Sequence, residues 1–244
     1  MNIDKNKIYC VDVLEGMKLI PDNSIDVVIT SPPYNISNSV SFGTTIDEMK
    51  YDSFDDDMSE EDYQKNQIEV LNELYRVLKP TGSVFYNHKL RYRGGDTIHP
   101  MQWISKSNFL VRQEIIWNRG IAANIRGWRF WQTDERIYWM TKSADISELE
   151  PSVSSLTSIW NIRPSNDQSH PCPFPEDLVK NCLLTQPKNS VVLDPYCGSG
   201  TTCIVAKKMG MNYIGFDVSK NYVDLANEKL KSTKTYKNMS KFFV

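Results

Sequence analysis

The sequence predicts an α/β protein with one domain, over residues 1–244, and a mainly parallel sheet. In the C-terminal part, residues 190–194 and 212–217 are apolar runs separated by a glycine loop and a helical stretch, which is a βαβ pattern. Near the N terminus, residues 8–14 and 25–31 are short runs rich in Val and Ile, typical of buried strands. The composition, with 40% hydrophobic and 24% charged residues, fits a globular domain and excludes a disordered or coiled-coil chain.

A long acidic segment follows the second strand. Residues 35–62 lack a sustained period and predict a mobile surface loop. Residues 47–62 carry nine acidic side chains and one lysine, a net charge of −8, although the whole chain has a net charge of only −2. Because phosphate repels this sign of charge, we expect the loop to be solvated and to stay away from nucleic acid.

A helix and three strands are predicted after the loop. Ser59 and Asp62 have the spacing of a capping box, and apolar residues recur at helical spacing until Lys79-Pro80. The segments TGSVFYN, FLVRQEIIWN and ERIYWMTKS then predict strands. Residues 144–176 contain five prolines and several serines, which indicates a connector before the C-terminal βαβ unit.

The βαβ unit has the pattern of a nucleotide site. Asp194 closes a strand, Gly198 and Gly200 open the helix, and Asp217 ends the next strand. Glycines let a ligand approach the backbone at a helix N-terminus, and the second acid suits ribose hydroxyls. The third glycine of a dinucleotide loop and the lysine of a P-loop are absent, which favours a ligand without phosphate, such as S-adenosylmethionine. The alternative is a glycine loop that only tightens the strand-helix turn.

The segment TSPPYN directly follows the strand over 25–31. Pro32 and Pro33 remove two backbone donors and fix the backbone, so Ser31 Oγ and the nearby carbonyls form a rigid acceptor surface beside the Tyr34 ring. Such a surface suits a planar, ring-conjugated amine, because acceptors that bind its N–H protons localise its lone pair. The alternative is a rigid turn with no chemical role.

The two motifs together resemble the DNA amino-methyltransferases, which methylate cytosine N4 or adenine N6. TSPPYN resembles their catalytic motif and VLDPYCGSGTT their cofactor loop, while IGFDVSKNYVDLANEKL, HPCPFPEDL and DVLEGMKLIPDNSIDVVI resemble the flanking segments. Their order along the chain is that of the β-class. The resemblance implies a circularly permuted, Rossmann-like methyltransferase fold with a mainly parallel central sheet, in which the strands ending at Ser31 and Asp194 are neighbours.

The resemblance also implies a set of site residues and a reaction. S-adenosylmethionine would donate a methyl group to the exocyclic amine of a flipped base in double-stranded DNA. Ser31 in place of an aspartate favours cytosine N4, with adenine N6 as the alternative. The implied catalytic residues are Ser31, Pro32, Pro33 and Tyr34, and the implied cofactor-binding residues are Asp12, His170, Phe174, Pro175, Asp194, Gly198, Gly200, Thr201 and Asp217.

A basic and aromatic segment predicts the DNA-facing surface. Residues 86–131 carry eight Lys and Arg against two acidic residues, together with four of the six tryptophans. The alternative is a partly buried surface without ligand. We expect a small DNA-recognition region over about residues 86–165, and the candidate contacts are Arg119, Arg126, Trp128, Arg129 and Trp131.

The remaining expectations concern partners and rival classes. The five cysteines show neither zinc-site nor disulfide spacing, so no metal is expected. No apolar run is long enough for a membrane span, which favours a cytoplasmic protein. We further expect a prokaryotic or phage source, and a homodimer stays open. Three rivals remain open: a C5-cytosine enzyme that uses Pro171-Cys172, an RNA or protein amide methyltransferase, and a catalytically silent relative.

Overall fold

A computed structural model describes residues 3–35, 58–123, 127–145, 147, 156–165 and 174–236. Most of the predicted acidic loop lies outside these residues, as do Arg126 and His170. The strands are β1 Lys7–Cys10, β2 Ile25–Thr30, β3 Leu78–His88, β4 Arg91–Arg93, β5 Asp96–Ile98, β6 Leu110–Ala123, β7 Gln132–Thr141, β8 Ile159–Asn161, β9 Val191–Asp194 and β10 Asn212–Asp217. The helices are α1 Val13–Lys18, α2 Glu60–Val77, α3 Met101–Ile104, α4 Glu176–Leu183, α5 Thr201–Lys208 and α6 Lys220–Ser232.

Eight strands form one sheet in the order β1-β10-β9-β2-β3-β7-β6-β8, and β4 and β5 form a separate hairpin. All neighbouring strands of the large sheet are parallel, except that β7 is antiparallel to both β3 and β6. The predicted α/β class with a mainly parallel sheet is confirmed. We call the edge where β1, β10, β9, β2 and β3 end the carboxyl edge.

The pairing of β2 with β9 joins the N-terminal and C-terminal parts of the chain. Val27 is opposite Val192 and Val28 is opposite Leu193, and all four side chains are fully buried. The expectation that the strands ending at Ser31 and Asp194 are neighbours is therefore confirmed. In open α/β sheets ligands bind beyond the carboxyl ends of the strands, where the strand order reverses, and the β2–β9 pair is such a point.

Apolar side chains cover both faces of the sheet. Val27 and Ile29 of β2 face one core, to which α4, α5 and α6 contribute, while Val28 faces a second core with α1, α2 and α3. A parallel strand buried on both faces is expected to be mostly apolar, and β2 is apolar at Ile25 and over Val27–Ile29, with Asp26 near its start and Thr30 at its end. Among the described residues, no helix has the length and apolar character needed to cross a membrane.

The structure corrects two predicted boundaries. The strand predicted over residues 8–14 ends at Cys10, because the Asp12 carboxylate accepts the Leu14 and Glu15 amides and starts α1 instead. The loop predicted over residues 35–62 ends earlier, since α2 begins at Glu60 with Ser59 as its N-cap. The hairpin of β4 and β5, strand β8 within the connector, and the short helices α1, α3 and α4 were not predicted.

Gly16 allows α1 to pack directly on the sheet. A Cβ atom at this position would lie 2.9 Å from two ring carbons of Phe216, which is fully buried on β10. Replacement of glycine by alanine within a helix normally stabilises it by about 1 kcal/mol. We predict the opposite sign for Gly16→Ala, a loss of about 1–3 kcal/mol from overpacking, measured by urea unfolding.

The control variant is Gly127→Ala, where a Cβ atom would meet nothing within 4 Å. We expect its free energy of unfolding to stay within about 0.5 kcal/mol of the parent chain. A Gly16→Ala variant as stable as the parent would contradict the close approach of α1 to Phe216.

Candidate active site

Polar side chains follow one another along the carboxyl edge. Asp12 follows β1, Asp217 ends β10, Asp194 ends β9, and Ser31 follows β2, and these four strands are adjacent in this order. Neighbouring strands are about 4.8 Å apart, so the two predicted motifs meet at one edge. The structure thus brings together the cofactor acids and the serine that the sequence singled out.

Asp194 is a buried carboxyl at the centre of this edge. It is 2% exposed, and its Oδ1 accepts the Tyr196 amide at 3.2 Å. Burial raises its pKa to about 6, although the nearby Thr202 and Thr30 hydroxyls and the Tyr196 amide act in the opposite direction. A cation placed beside Asp194 would stabilise its ionised form.

Asp217 organises the glycine loop. Its Oδ2 accepts the Gly198 amide at 2.9 Å and its Oδ1 accepts the Ser219 amide at 2.8 Å. Burial raises its pKa, and these two backbone bonds partly oppose the shift. Each carboxylate oxygen has a second lone pair, so Asp217 can hold the loop and still accept ligand hydroxyls.

The two glycines of the loop have a structural reason to be glycines. Gly198 and Gly200 have φ values of 48° and 84°, in the left-handed region. A Cβ atom on Gly200 would lie 2.7 Å from Cβ of Ala226, where α6 packs against the start of α5. Thr201 is the first residue of α5 and is half-buried. The left-handed turn thus accounts for both glycines, and the packing of α6 further restricts Gly200.

The other predicted cofactor residues flank this centre. The Asp12 carboxylate is engaged as the cap of α1. Pro175 is buried immediately before α4, and the half-buried ring of Phe174 lies 6.5 Å from the Trp117 ring. The buried carboxyl of Asp194 can accept from a cation, and the strand-end carboxyl of Asp217 can accept from ribose hydroxyls. The first amides of α5 can donate to a carboxylate. This set fits the ammonium, ribose and carboxylate of S-adenosylmethionine.

On the other side of Ser31, a buried hydrogen-bond network crosses four strands. Ser31 Oγ lies 2.6 Å from the Tyr34 hydroxyl, which donates to Glu135 Oε2 at 3.0 Å. Asn87 Nδ2 is 2.6 Å from the Tyr34 hydroxyl oxygen and 2.7 Å from Glu135 Oε2, and Arg119 Nη1 donates to Glu135 Oε1 at 2.7 Å. We call these five residues the Ser31–Glu135 network.

Sequence reasoning missed Asn87 and Glu135. Each sits in a segment predicted as a strand, Asn87 on β3 and Glu135 on β7, and each is at most 7% exposed. A buried carboxylate at the start of an apolar strand is an unusual feature that could have drawn attention. The link from Glu135 to Ser31 through the Tyr34 hydroxyl depends on the antiparallel pairing of β3 with β7, which residue types do not reveal.

Two neighbouring side chains contact the Tyr34 ring. The His88 ring lies 4.6 Å from it, centroid to centroid, and Lys89 Nζ lies 5.2 Å from its centroid. The Tyr63 hydroxyl of α2 donates to the Pro33 carbonyl at 2.8 Å and also lies 2.8 Å from His88 Nε2. Burial, followed by the charge of Arg91, lowers the pKa of His88 well below its usual value, which favours the neutral ring at physiological pH.

The predicted DNA contacts separate into two groups. Trp128 and Trp131 are 56% and 64% exposed at the tip between β6 and β7, and the Arg129 guanidinium lies 4.2 Å from the Tyr92 ring of the β4–β5 hairpin. Arg119 instead belongs to the Ser31–Glu135 network, with its side chain 22% exposed. Phe130, which the sequence did not single out, is 99% exposed at the same tip.

Comparison with known families now decides the class of protein. A family model described as DNA methylase, for enzymes acting on N6 and N4 amines, matches residues 25–228. This match covers β2, the TSPPYN segment that follows it (here called the serine motif), the glycine loop and most of α6. The chain belongs to the N6/N4 DNA methylase family. S-adenosylmethionine is therefore its methyl donor, and DNA is its class of substrate.

Individual methylases are similar over most of this chain. The type II methyltransferase M.BglII of Bacillus subtilis is 30% identical over 265 residues, covering 92% of this chain and 69% of its own length. A solved structure of the PvuII cytosine-N4-specific DNA methyltransferase has a TM-score of 0.75 at 18% identity, covering 99% of this chain and 92% of its own. A DNA modification methylase of Thermus thermophilus, solved with S-adenosyl-L-methionine, has a TM-score of 0.66 at 22% identity, covering 92% of each chain.

The raised pKa of Asp194 predicts a pH-dependent stability of this methylase. Between the ordinary value of 3.8 and about 6, the folded state holds the Asp194 proton more tightly than the unfolded state, so stability falls as pH rises. The side chain in Asp194→Asn stays neutral at every pH, so this variant does not lose stability through that titration. Relative to the parent, we expect the variant to gain up to about 3 kcal/mol on going from about pH 4 to about pH 7, measured by urea unfolding without cofactor.

Asp177→Asn serves as the control, because the Asp177 side chain is 72% exposed. We expect its stability difference from the parent to change little across the same pH range. A difference between Asp194→Asn and the parent that is constant with pH would show that Asp194 titrates normally in the fold.

Proposed function

We propose that this chain transfers a methyl group from S-adenosylmethionine to N4 of a cytosine flipped out of double-stranded DNA. The observation that carries the proposal is the position of Ser31, a neutral acceptor held rigidly at the carboxyl edge beside the strand of Asp194. Acceptors at this point localise the lone pair of an amine that enters the cleft.

The cofactor half of the edge holds the methyl donor. When bound, S-adenosylmethionine supplies an electrophilic methyl group on a sulfonium centre. Asp194 binds its ammonium group, Asp217 its ribose hydroxyls and the first amides of α5 its carboxylate. The remaining members of the proposed pocket are Asp12 near the adenine, His170, Phe174 and Pro175 as lining, and Gly198, Gly200 and Thr201 around the methionine part.

Ser31 and the Pro32 carbonyl accept the two amine protons, and the Tyr34 ring stacks on the base. The Pro33 carbonyl is bonded to Tyr63 of α2, and this contact holds the proline turn in place. For a base to stack on Tyr34, Lys89 has to leave its position over that ring. A base inside a duplex cannot reach this cleft, which is why the target must flip.

The choice of cytosine rests on the residue type at Ser31. A serine offers the amine a neutral acceptor, where an aspartate would offer an anionic one. The solved structure with a TM-score of 0.75 is named as cytosine-N4-specific, but at 18% identity its likeness extends to the fold alone. The argument for cytosine therefore remains with Ser31.

The DNA-facing surface is the pair of hairpins at the carboxyl edge. Trp128, Arg129 and Trp131 lie at the tip between β6 and β7, and Arg129 with Trp128 packs on Tyr92 of the other hairpin. Arg126 is outside the residues that the structure describes. Arg129 and Arg126 would contact phosphates, whereas the exposed rings would contact sugars and bases.

Product analysis tests this function directly. Incubation with labelled S-adenosylmethionine and duplex DNA, followed by mass spectrometry of the nucleosides, is expected to yield N4-methylcytosine. Ser31→Ala should lower turnover by about 100-fold while the calorimetric Kd for the cofactor stays unchanged, because the lost contact matters mainly in the transition state.

Ser105→Ala, which removes an exposed hydroxyl at the C-terminal end of α3, is the control and should retain full turnover. N6-methyladenine as the only product would overturn the choice of base. Unmethylated DNA would overturn the proposed function.

Phe130 predicts how the flipped base is replaced in the stack. An almost fully exposed aromatic ring at the DNA-facing tip has the character of a wedge that inserts between base pairs. Phe130→Ala should lower kcat/KM on fully paired DNA by about tenfold, with a smaller loss when the target base is mispaired and flips at lower cost. The control is Ile159→Ala, which truncates a 50% exposed side chain on β8. It should leave kcat/KM unchanged on both paired and mispaired DNA. Equal losses of Phe130→Ala on paired and mispaired DNA would exclude the wedge.

A further inference from the structure

We propose that Glu135 is a positioning residue that polarises Ser31 through the Tyr34 hydroxyl and receives the proton that the methylated amine releases. The inference rests on the proposed function, because it concerns the fate of that amine proton. It assigns a role to a buried charge on β7 that neither motif contains.

The first step is the ionisation state of Glu135. Three donors converge on its carboxylate: Arg119 Nη1, Asn87 Nδ2 and the Tyr34 hydroxyl, at 2.7, 2.7 and 3.0 Å. At 7% exposure, water contributes little. An ionised carboxylate only accepts hydrogen bonds, and a buried carboxylate persists where such charge-assisted partners surround it.

The second step is the direction of the hydrogen bonds. Tyr34 has one hydroxyl proton, and it donates this proton to Glu135. The contact of 2.6 Å between Ser31 Oγ and the Tyr34 oxygen must therefore carry the proton of Ser31. Asn87 Nδ2 can donate one N–H to the Tyr34 oxygen and the other to Glu135. With its proton turned toward Tyr34, Ser31 Oγ presents its lone pairs to the amine.

The third step is the balance of the reaction. The amine nitrogen gains a bond to the methyl carbon, and the electron pair of the broken carbon–sulfur bond stays on sulfur. The nitrogen is then cationic and loses a proton to Ser31 Oγ. The Ser31 proton moves to the Tyr34 oxygen and the Tyr34 proton moves to Glu135 Oε2, which becomes a neutral carboxylic acid until product release exposes it to solvent.

This arrangement accounts for a neutral residue at Ser31. The anionic group lies two hydrogen bonds from Ser31, and so three from the amine, rather than in contact with it. Asn87, the neighbour of both hydroxyls, is a neutral amide, so Glu135 is the only carboxylate among the five residues of the network.

Two variants test the relay. Glu135→Gln removes the charge, and Tyr34→Phe removes the hydroxyl while retaining the ring that stacks on the base. We expect each to lower kcat by about 100-fold, with the KM for DNA and the calorimetric cofactor Kd unchanged. Because both act in one chain of proton transfer, the double variant should be no slower than the slower single variant.

A third variant separates the relay from a structural role. Asn87→Asp in the Glu135→Gln background places a carboxylate where the Asn87 amide nitrogen now lies, 2.6 Å from the Tyr34 hydroxyl. We expect the kcat of this double variant to be at least about tenfold higher than the kcat of Glu135→Gln alone. Glu114→Gln on β6 is the matched control, because Glu114 pairs with Arg136 and has no contact in the network. It should retain the parent kcat.

The outcomes separate the two proposals. Parent kcat in Glu135→Gln or in Tyr34→Phe would overturn the relay and leave the methyltransferase function standing. A slow Glu135→Gln variant with a lowered melting temperature and no recovery by Asn87→Asp would also overturn it, in favour of a structural role. Both of these outcomes require that the parent chain methylates DNA. If the parent chain does not methylate DNA, the proposed function itself is overturned.

Discussion

The parallel pairing of β2 with β9 is the contact on which the candidate site depends. It aligns Val27 with Val192 and Val28 with Leu193, so the serine motif and the glycine loop leave the sheet side by side. Complete burial of these side chains makes any other alignment costly, because a slip of one residue would turn each side chain to the opposite core. The register of these two strands thereby sets the distance between the serine motif and the glycine loop.

The two buried carboxyl groups on either side of this pairing, Asp194 and Glu135, differ in whether a cation balances their charge. Within the part of the chain that the structure describes, Asp194 has no cationic partner, and burial raises its pKa to about 6. Glu135 is also buried but has Arg119 as an ion-pair partner. The Asp194 carboxyl thus has no compensating cation among the described residues, whereas the charge of Glu135 is satisfied inside the protein. A carboxylate of the first kind suits binding, and one of the second kind suits holding other groups in a fixed orientation.

The basic segment 86–131 illustrates how tertiary contacts change the meaning of a charge count. Arg91 forms a bidentate ion pair with Glu60 at the start of α2, and Arg119 pairs with Glu135. Both guanidinium groups are therefore paired with carboxylates of the protein itself. The aromatic rings of the same segment divide likewise, with Trp103 fully buried and Trp128 and Trp131 exposed at the hairpin tip. Exposure, not residue type, identifies the members of this segment that can meet DNA.

The sequence by itself determined the α/β class, the strands that lead to Ser31 and Asp194, and the positions of Asp194 and Asp217 at strand ends, because strand periodicity and glycine spacing are local properties. Only the tertiary structure decided that Asp12 caps a helix, that Arg119 points inward, and that Glu135 lies within two hydrogen bonds of Ser31. Each of these facts depends on a side chain from a distant part of the chain or on competition between a local cap and a strand. Local patterns fix which residues can do chemistry, while pairing between distant strands selects the partners that they act with.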